Sequence, residues 1–96
     1  MRRAARVDAN QPAIVAALRA AGCDVQDLSK VGNGVPDLLV QRAGVIYLLE
    51  AKRPAGPQGG LKGRLLTEKQ IAFRQRWPVH TVRSPHEALH AVGLIR

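Results

Sequence analysis

The sequence predicts an α/β fold with one mixed sheet, on three observations. Two strand-like apolar runs are joined by a very short connection, and helix-period segments with capping signals lie on either side of them. The length of 96 residues leaves room for one core.

Each element has its own signal. Residues 10–21 form the first predicted helix. Ile14, Ala17, Leu18 and Ala21 lie at the i, i+3, i+4, i+7 spacing of a buried face, and Gly22 is the stop. Residues 23–28 form a short, weakly patterned strand. Lys30-Val31-Gly32-Asn33-Gly34 is a glycine-rich turn, a composition that lets the chain approach a neighbour closely. Residues 36–41 contain Leu38-Leu39-Val40, and residues 45–52 contain Val45-Ile46-Tyr47-Leu48-Leu49. Such runs predict central strands buried on both faces. The connection at Arg42-Ala43-Gly44 is short enough for a hairpin.

Residues 53–66 change character, with two Pro, four Gly and three basic residues, and predict a long loop. Thr67-Glu68-Lys69-Gln70 is a capping box opening a second helix, with Leu66 and Ile71 placed as its staple. Phe73 and Trp77 share a face of that helix, and Pro78 ends it. Residues 79–83 give a fourth strand. Ser84-Pro85-His86-Glu87 is another capping box with Pro at the first helical position, and Ala88, Leu89 and Val92 face the core before Gly93. The predicted order is α-β-β-β-α-β-α, a four-stranded mixed sheet flanked by helices, in one domain over residues 1–96.

Fifteen Lys and Arg stand against seven Asp and Glu, a net charge of +8. That balance favours a polyanionic partner, of which nucleic acid is the commonest. Phe73, Trp77 and Tyr47 are the only aromatic residues, so the contact is expected to rest on charge and geometry rather than stacking. The single cysteine, Cys23, excludes an internal disulfide, suits a reducing compartment and fits a small core filler. Met1-Arg2-Arg3 has the look of a signal n-region, but Asp8, Asn10 and Arg19 interrupt the apolar stretch behind it. No run approaches the ~20 apolar residues of a membrane span. A cytoplasmic protein without membrane association is expected.

Asp37 and Glu50 carry the chemical signal. A carboxylate attached to an otherwise apolar strand is costly unless it is paired or bound to metal. If Ala43-Gly44 is the turn, Arg42 faces Val45, and counting back sets Asp37 opposite Glu50. Opposed side chains that close repel unless a cation lies between them. Lys52, two residues beyond Glu50, projects from the same strand face. Ala is a poor residue for a two-residue turn, and a three-residue loop would shift the register by one. Oxygen ligands of this kind suit Mg²⁺ or Mn²⁺, and such a site performs phosphodiester hydrolysis. The competing reading is a surface ion pair at strand ends. The Pro36-Asp37 pair, the thirteen-residue step to Glu50 and the preceding glycine turn weigh against it.

Pro36-Asp37 followed by Glu50-Ala51-Lys52 resembles the motif of the PD-(D/E)XK nuclease superfamily. More narrowly, Gly34-Val35-Pro36-Asp37-Leu38-Leu39, Tyr47-Leu48-Leu49-Glu50-Ala51-Lys52, Leu66-Thr67-Glu68-Lys69-Gln70 and the C-terminal segment 82–89 resemble the virus-type replication-repair nuclease (VRR-NUC) domain. The likeness covers nearly the whole chain, and stand-alone phage and bacterial members are of similar length. It implies a restriction-endonuclease-like core and a metal-dependent endonuclease, usually dimeric, acting on branched DNA such as Holliday junctions. It implies catalytic roles for Asp37, Glu50, Lys52 and Gln70, with Mg²⁺ or Mn²⁺ held by Asp37, Glu50 and the Ala51 carbonyl. The family places an acid near the start of the first helix. Asp8 is the candidate here, although Asp8 with Gln11 equally fits a capping box and Asn10 is a fair cap. The glutamine role and the capping role of Gln70 are compatible.

Arg53, Lys62, Arg64, Lys69 and Arg74 are the expected DNA contacts, on a loop and helix suited to gripping phosphates. His86 and His90 lie four apart without an evident third ligand and are expected at the surface. A chain this small and aromatic-poor gains stability by pairing with a copy of itself, so a homodimer is expected. A non-catalytic nucleic-acid-binding module and a nicking, exonuclease or restriction activity remain the alternatives.

Overall fold

The computed structural model describes residues 9–53 and 66–95. Its elements run α1 (Gln11–Ala20), β1 (Asp24–Asp27), β2 (Leu38–Arg42), β3 (Val45–Ala51), α2 (Glu68–Arg74), β4 (His80–Val82) and α3 (Pro85–Ala91). The four strands form one sheet in the order β1-β2-β3-β4. β1, β2 and β3 are antiparallel, and β4 adds parallel to β3. Parallel neighbours need a crossover of a dozen or more residues, and the segment carrying α2 provides it.

The hairpin turn sets the register. Ala43 and Gly44 have φ of 53° and 83°, the left-handed pair that matches the twist of the flanking strands. Ala43 accepts this conformation although it has a Cβ, and the Gln41 side chain supports the turn by accepting a 2.7 Å bond from the Gly44 N–H. Arg42 therefore pairs with Val45, and the ladder runs back to Leu38 against Leu49.

Helices α1 and α3 cover one face of the sheet. Ile14, Leu18, Ala88 and Val92 meet Val25, Leu38, Val40, Leu49, Ala51 and Val82 in a single cluster that also takes in Cys23. Ala21 does not join the predicted face of α1. It is exposed because the chain turns away at Gly22 toward β1, whereas Gln11 at the other end is buried.

The strands are not buried on both faces throughout. β2 alternates, with Leu38 and Val40 fully buried and Leu39 half-buried. In β3, Val45 and Ile46 are exposed, whereas Leu49, Glu50 and Ala51 are buried together. Among the described residues, the second face is covered where α2 reaches it, at the far end of the hairpin.

α2 buries none of its residues. Ile71 of the predicted staple is 47% exposed. The helix ends at Arg74, ahead of Pro78, and a turn bonded from the Trp77 N–H to the Phe73 carbonyl follows. At α3, Ser84 Oγ accepts from the Glu87 N–H, but Glu87 accepts from the Arg83 N–H instead of closing the box on Ser84. Among the described residues, no helix is long and apolar enough to cross a membrane.

Candidate active site

Asp37 lies one residue before β2. Its carbonyl accepts from the Leu28 N–H at 2.7 Å, tying it to the end of β1. Its side chain ends the β2–β3 ladder, with Oδ2 accepting from the Ala51 N–H at 2.9 Å. One step past the Leu38–Leu49 pair brings Asp37 level with Glu50, as the two-residue turn requires. Asp37 is thus not itself a ladder residue. It takes the place that the next strand pair would have filled.

Glu50 sits between the core residues Leu49 and Ala51, so its side chain leaves on the opposite face of the sheet. It is only 6% exposed. Burial, then the negative charge of Asp37, pushes its carboxyl up to about 7, with a side-chain hydrogen bond between the two acids acting in the same direction. Lys52 and Arg74 oppose the rise. The physical content is that two carboxyls in one partly dry site cannot both ionise without a compensating cation.

Three cationic or amide groups surround the pair. Lys52 Nζ is 3.9 Å from Glu50 Oε2, on the strand face that its spacing predicts. Gln70 joins the capping box to the acid pair with one amide. Its Oε1 accepts from the Thr67 N–H at 2.9 Å, completing the capping box, and its Nε2 donates to Glu50 Oε2 at 3.0 Å. Arg74 donates to Thr81 Oγ1 at 2.7 Å, and Thr81 is the strand partner of Glu50. Its guanidinium lies half-buried against β4, where its charge acts on Glu50.

The remaining predicted contacts divide. Arg53 and Lys69 are exposed, and Lys69 Nζ donates to Asn33 Oδ1 at 3.4 Å. Lys62, Arg64 and Asp8 lie outside the described residues. The glycine-rich turn makes the close approach its composition suggests. A Cβ on Gly34, whose φ is 81°, would stand 2.3 Å from the Lys69 carbonyl oxygen, so only glycine lets this loop lie against α2. Asp37, Glu50, Lys52 and Gln70, with Ser29 and Asn33 of the loop, line an open cleft of about 650 Å³.

Asn10 has a role that local sequence does not signal. It is the N-cap of α1 yet makes no capping hydrogen bond. Its Nδ2 donates instead to the carbonyls of Lys52 at 3.1 Å and Arg83 at 2.8 Å, tethering the ends of β3 and β4 to the start of α1. Those partners are 42 and 73 residues away in sequence. Asn10 Oδ1 and Gln11 Oε1 are buried without a hydrogen-bond partner among the described residues.

The donor chemistry fits a hard cation. Two carboxyls converge, and burial followed by the charge of Asp37 makes Glu50 resist ionisation. The Ala51 N–H points at Asp37. Because a strand residue's N–H and C=O leave toward the same edge, its carbonyl faces the same end of the cleft. Among the described residues, no group of three or more His, Cys, Asp or Glu could hold a metal. A hard ion here would rest on the two acids, a main-chain oxygen and water, as Mg²⁺ commonly does. His86 and His90 are exposed, as expected, and line a separate hollow with His80.

The chain matches no protein-family model, no curated protein and no solved structure.

Proposed function

We propose that this chain is a Mg²⁺- or Mn²⁺-dependent nuclease of the PD-(D/E)XK type, close to the VRR-NUC domain, with Asp37, Glu50, Lys52 and Gln70 as its active site. The observation that carries the reading is the convergence of Asp37 and Glu50 at one end of a hairpin, with Lys52 beside Glu50. The basic chain around them supports a polyanionic substrate.

When bound by Asp37, Glu50 and the Ala51 carbonyl, the cation would supply Lewis-acid activation of a phosphodiester and of the attacking water. The chain's own residues do the rest. Gln70 fixes the Glu50 carboxylate through a hydrogen bond that the capped start of α2 holds in place. Lys52, tethered through its carbonyl to Asn10, presents an ammonium to the charge that develops on a phosphate oxygen. Arg74 neutralises part of the acid pair from the β4 side. Arg53 and Lys69 hold the strand by its phosphates.

The finer reading is a homodimer acting on branched DNA, such as a Holliday junction. A two-fold dimer would set two such sites in opposite orientations, as paired cuts in a symmetric junction require. The test is cleavage of linear, flap and four-way DNA with Mg²⁺, Mn²⁺ or chelator. Activity with either metal, none in chelator, and at least about a thousand-fold loss in Asp37→Asn with DNA binding retained are expected. Full cleavage in chelator would refute the metal mechanism. DNA binding without cleavage under any condition would leave a binding module.

A further inference from the structure

Two of the three aromatic side chains of this protein are not used for its core. Tyr47 packs against the buried cluster, but Phe73 and Trp77 lie outside it. They stack on one another at the end of α2, with ring centroids 5.9 Å apart and planes inclined by 21°. Trp77 remains 48% exposed, so Phe73 backs the indole while much of its surface meets solvent. Rings stacked at the end of a helix that buries nothing contribute little to folding, and the exposure of Trp77 calls for an occupant.

The surroundings say which occupant. Phe73 and Arg76 line a shallow hollow of about 310 Å³ that also includes Asn33 and Lys69. Asn33 and Lys69 line the active cleft as well, so the hollow continues that cleft along α2. The rim is cationic: Lys69 and Arg76 are both exposed. A second copy meeting this patch across a two-fold axis would set like charges against each other. A nucleic-acid strand meets it with the complementary charge and with a flat π-face at every nucleotide.

We propose that the Phe73–Trp77 pair is a stacking platform for an unpaired base of a DNA strand whose backbone passes Arg76 and Lys69 into the Asp37–Glu50–Lys52 cleft. The inference rests on the nuclease reading only for the destination of that strand. It narrows the substrate class to DNA with single-stranded or unstacked nucleotides beside the scissile position. In intact duplex the bases are stacked on each other and turn only their edges outward, so the platform discriminates against it.

Trp77 is the only tryptophan, so its emission reports directly on the site. The probes are a labelled single-stranded oligodeoxynucleotide, a blunt duplex of the same sequence and a duplex with a single-stranded arm. All are titrated in chelator, with anisotropy of the label as an independent measure of binding. Single-stranded and armed DNA should quench Trp77 strongly, and blunt duplex should quench it weakly at equal saturation. Trp77→Ala should bind single-stranded DNA about ten-fold more weakly and blunt duplex unchanged, while Trp77→Phe keeps most of the affinity. Trp77 is at the surface, and circular dichroism checks that both variants fold.

The proposal is overturned by saturated single-stranded binding with unchanged emission, by undiminished single-stranded binding in Trp77→Ala, or by no DNA binding at all. It is equally overturned if emission responds to protein concentration alone, which would give the patch to a second copy. Quenching without metal-dependent cleavage would refute the nuclease reading and leave the platform standing. Cleavage without quenching would do the reverse.

Discussion

The two faces of the sheet are held by different physics. On one, α1 and α3 close over Leu38, Val40, Leu49 and Val82 with fully buried Ile14, Leu18 and Val92. On the other, α2 buries nothing and is attached by Gln70 to Glu50, by Arg74 to Thr81 and by the close approach at Gly34. Apolar burial is non-directional and scales with area, so the first face carries the fold. The polar attachments are directional and individually modest, and one of them ends on a carboxylate of the site.

Substitutions should separate the faces most clearly. Leu49→Ala, on the closed face, is expected to cost about 2–5 kcal/mol of unfolding free energy, a large share of what a domain this size possesses. Gln70→Ala, on the open face, should cost about 1 kcal/mol while impairing cleavage severely. Urea denaturation followed by circular dichroism measures both. Equal costs would erase the distinction between the faces.

The pH dependence of stability tests the open face alone. The Glu50 carboxyl rises from 4.5 to about 7 on folding. Below 4.5 it is protonated whether folded or not and has no effect. Between 4.5 and about 7 the unfolded chain releases the proton that the folded chain keeps, so stability falls as pH rises. The loss totals on the order of 3 kcal/mol and then levels off. Urea midpoints in chelator should be higher at pH 5 than at pH 8, and Glu50→Gln should flatten that slope. Mg²⁺ should raise the midpoint more at pH 8, where its ligand is ionised. A slope identical in Glu50→Gln would remove Glu50 from this account.

The hairpin turn lies outside both faces and should give the smallest effect. Ala43 is held at a φ of 53°, which costs a residue with a Cβ. Ala43→Asn should stabilise the protein by about 0.5–1 kcal/mol with cleavage unchanged, as read by urea midpoint and turnover. Altered cleavage would mean that the turn's strain reaches Asp37 and Glu50 through the register it sets.

Much of this was legible in the sequence because the signals are local. The element order, the capping box at Thr67 and the glycine-rich approach at Gly34 each rest on residues a few positions apart. The register that levels Asp37 with Glu50 follows from the turn alone, since a two-residue connection leaves one way to count back. Burial was less legible. A continuous apolar run such as Val45-Ile46-Tyr47 looks like a strand covered on both faces, but coverage depends on where helices from elsewhere in the chain are placed. That Arg74 reaches Thr81 was not legible either, because a charge on a helix carries no sign of which way it turns.

What the sequence by itself determined is the set of strands, a short hairpin connection at residues 42–44, and the presence of two acids and a lysine near the end of that hairpin. These follow from backbone propensity, side-chain period and turn geometry, all of which act over a few residues. Only the tertiary structure decided that Asn10 abandons its cap to hold the carbonyls of Lys52 and Arg83, and that Gln70 grips Glu50. It also left Phe73 and Trp77 outside the core. Each of those outcomes depends on which groups compete for the same space once distant segments are packed, and no local pattern encodes that competition.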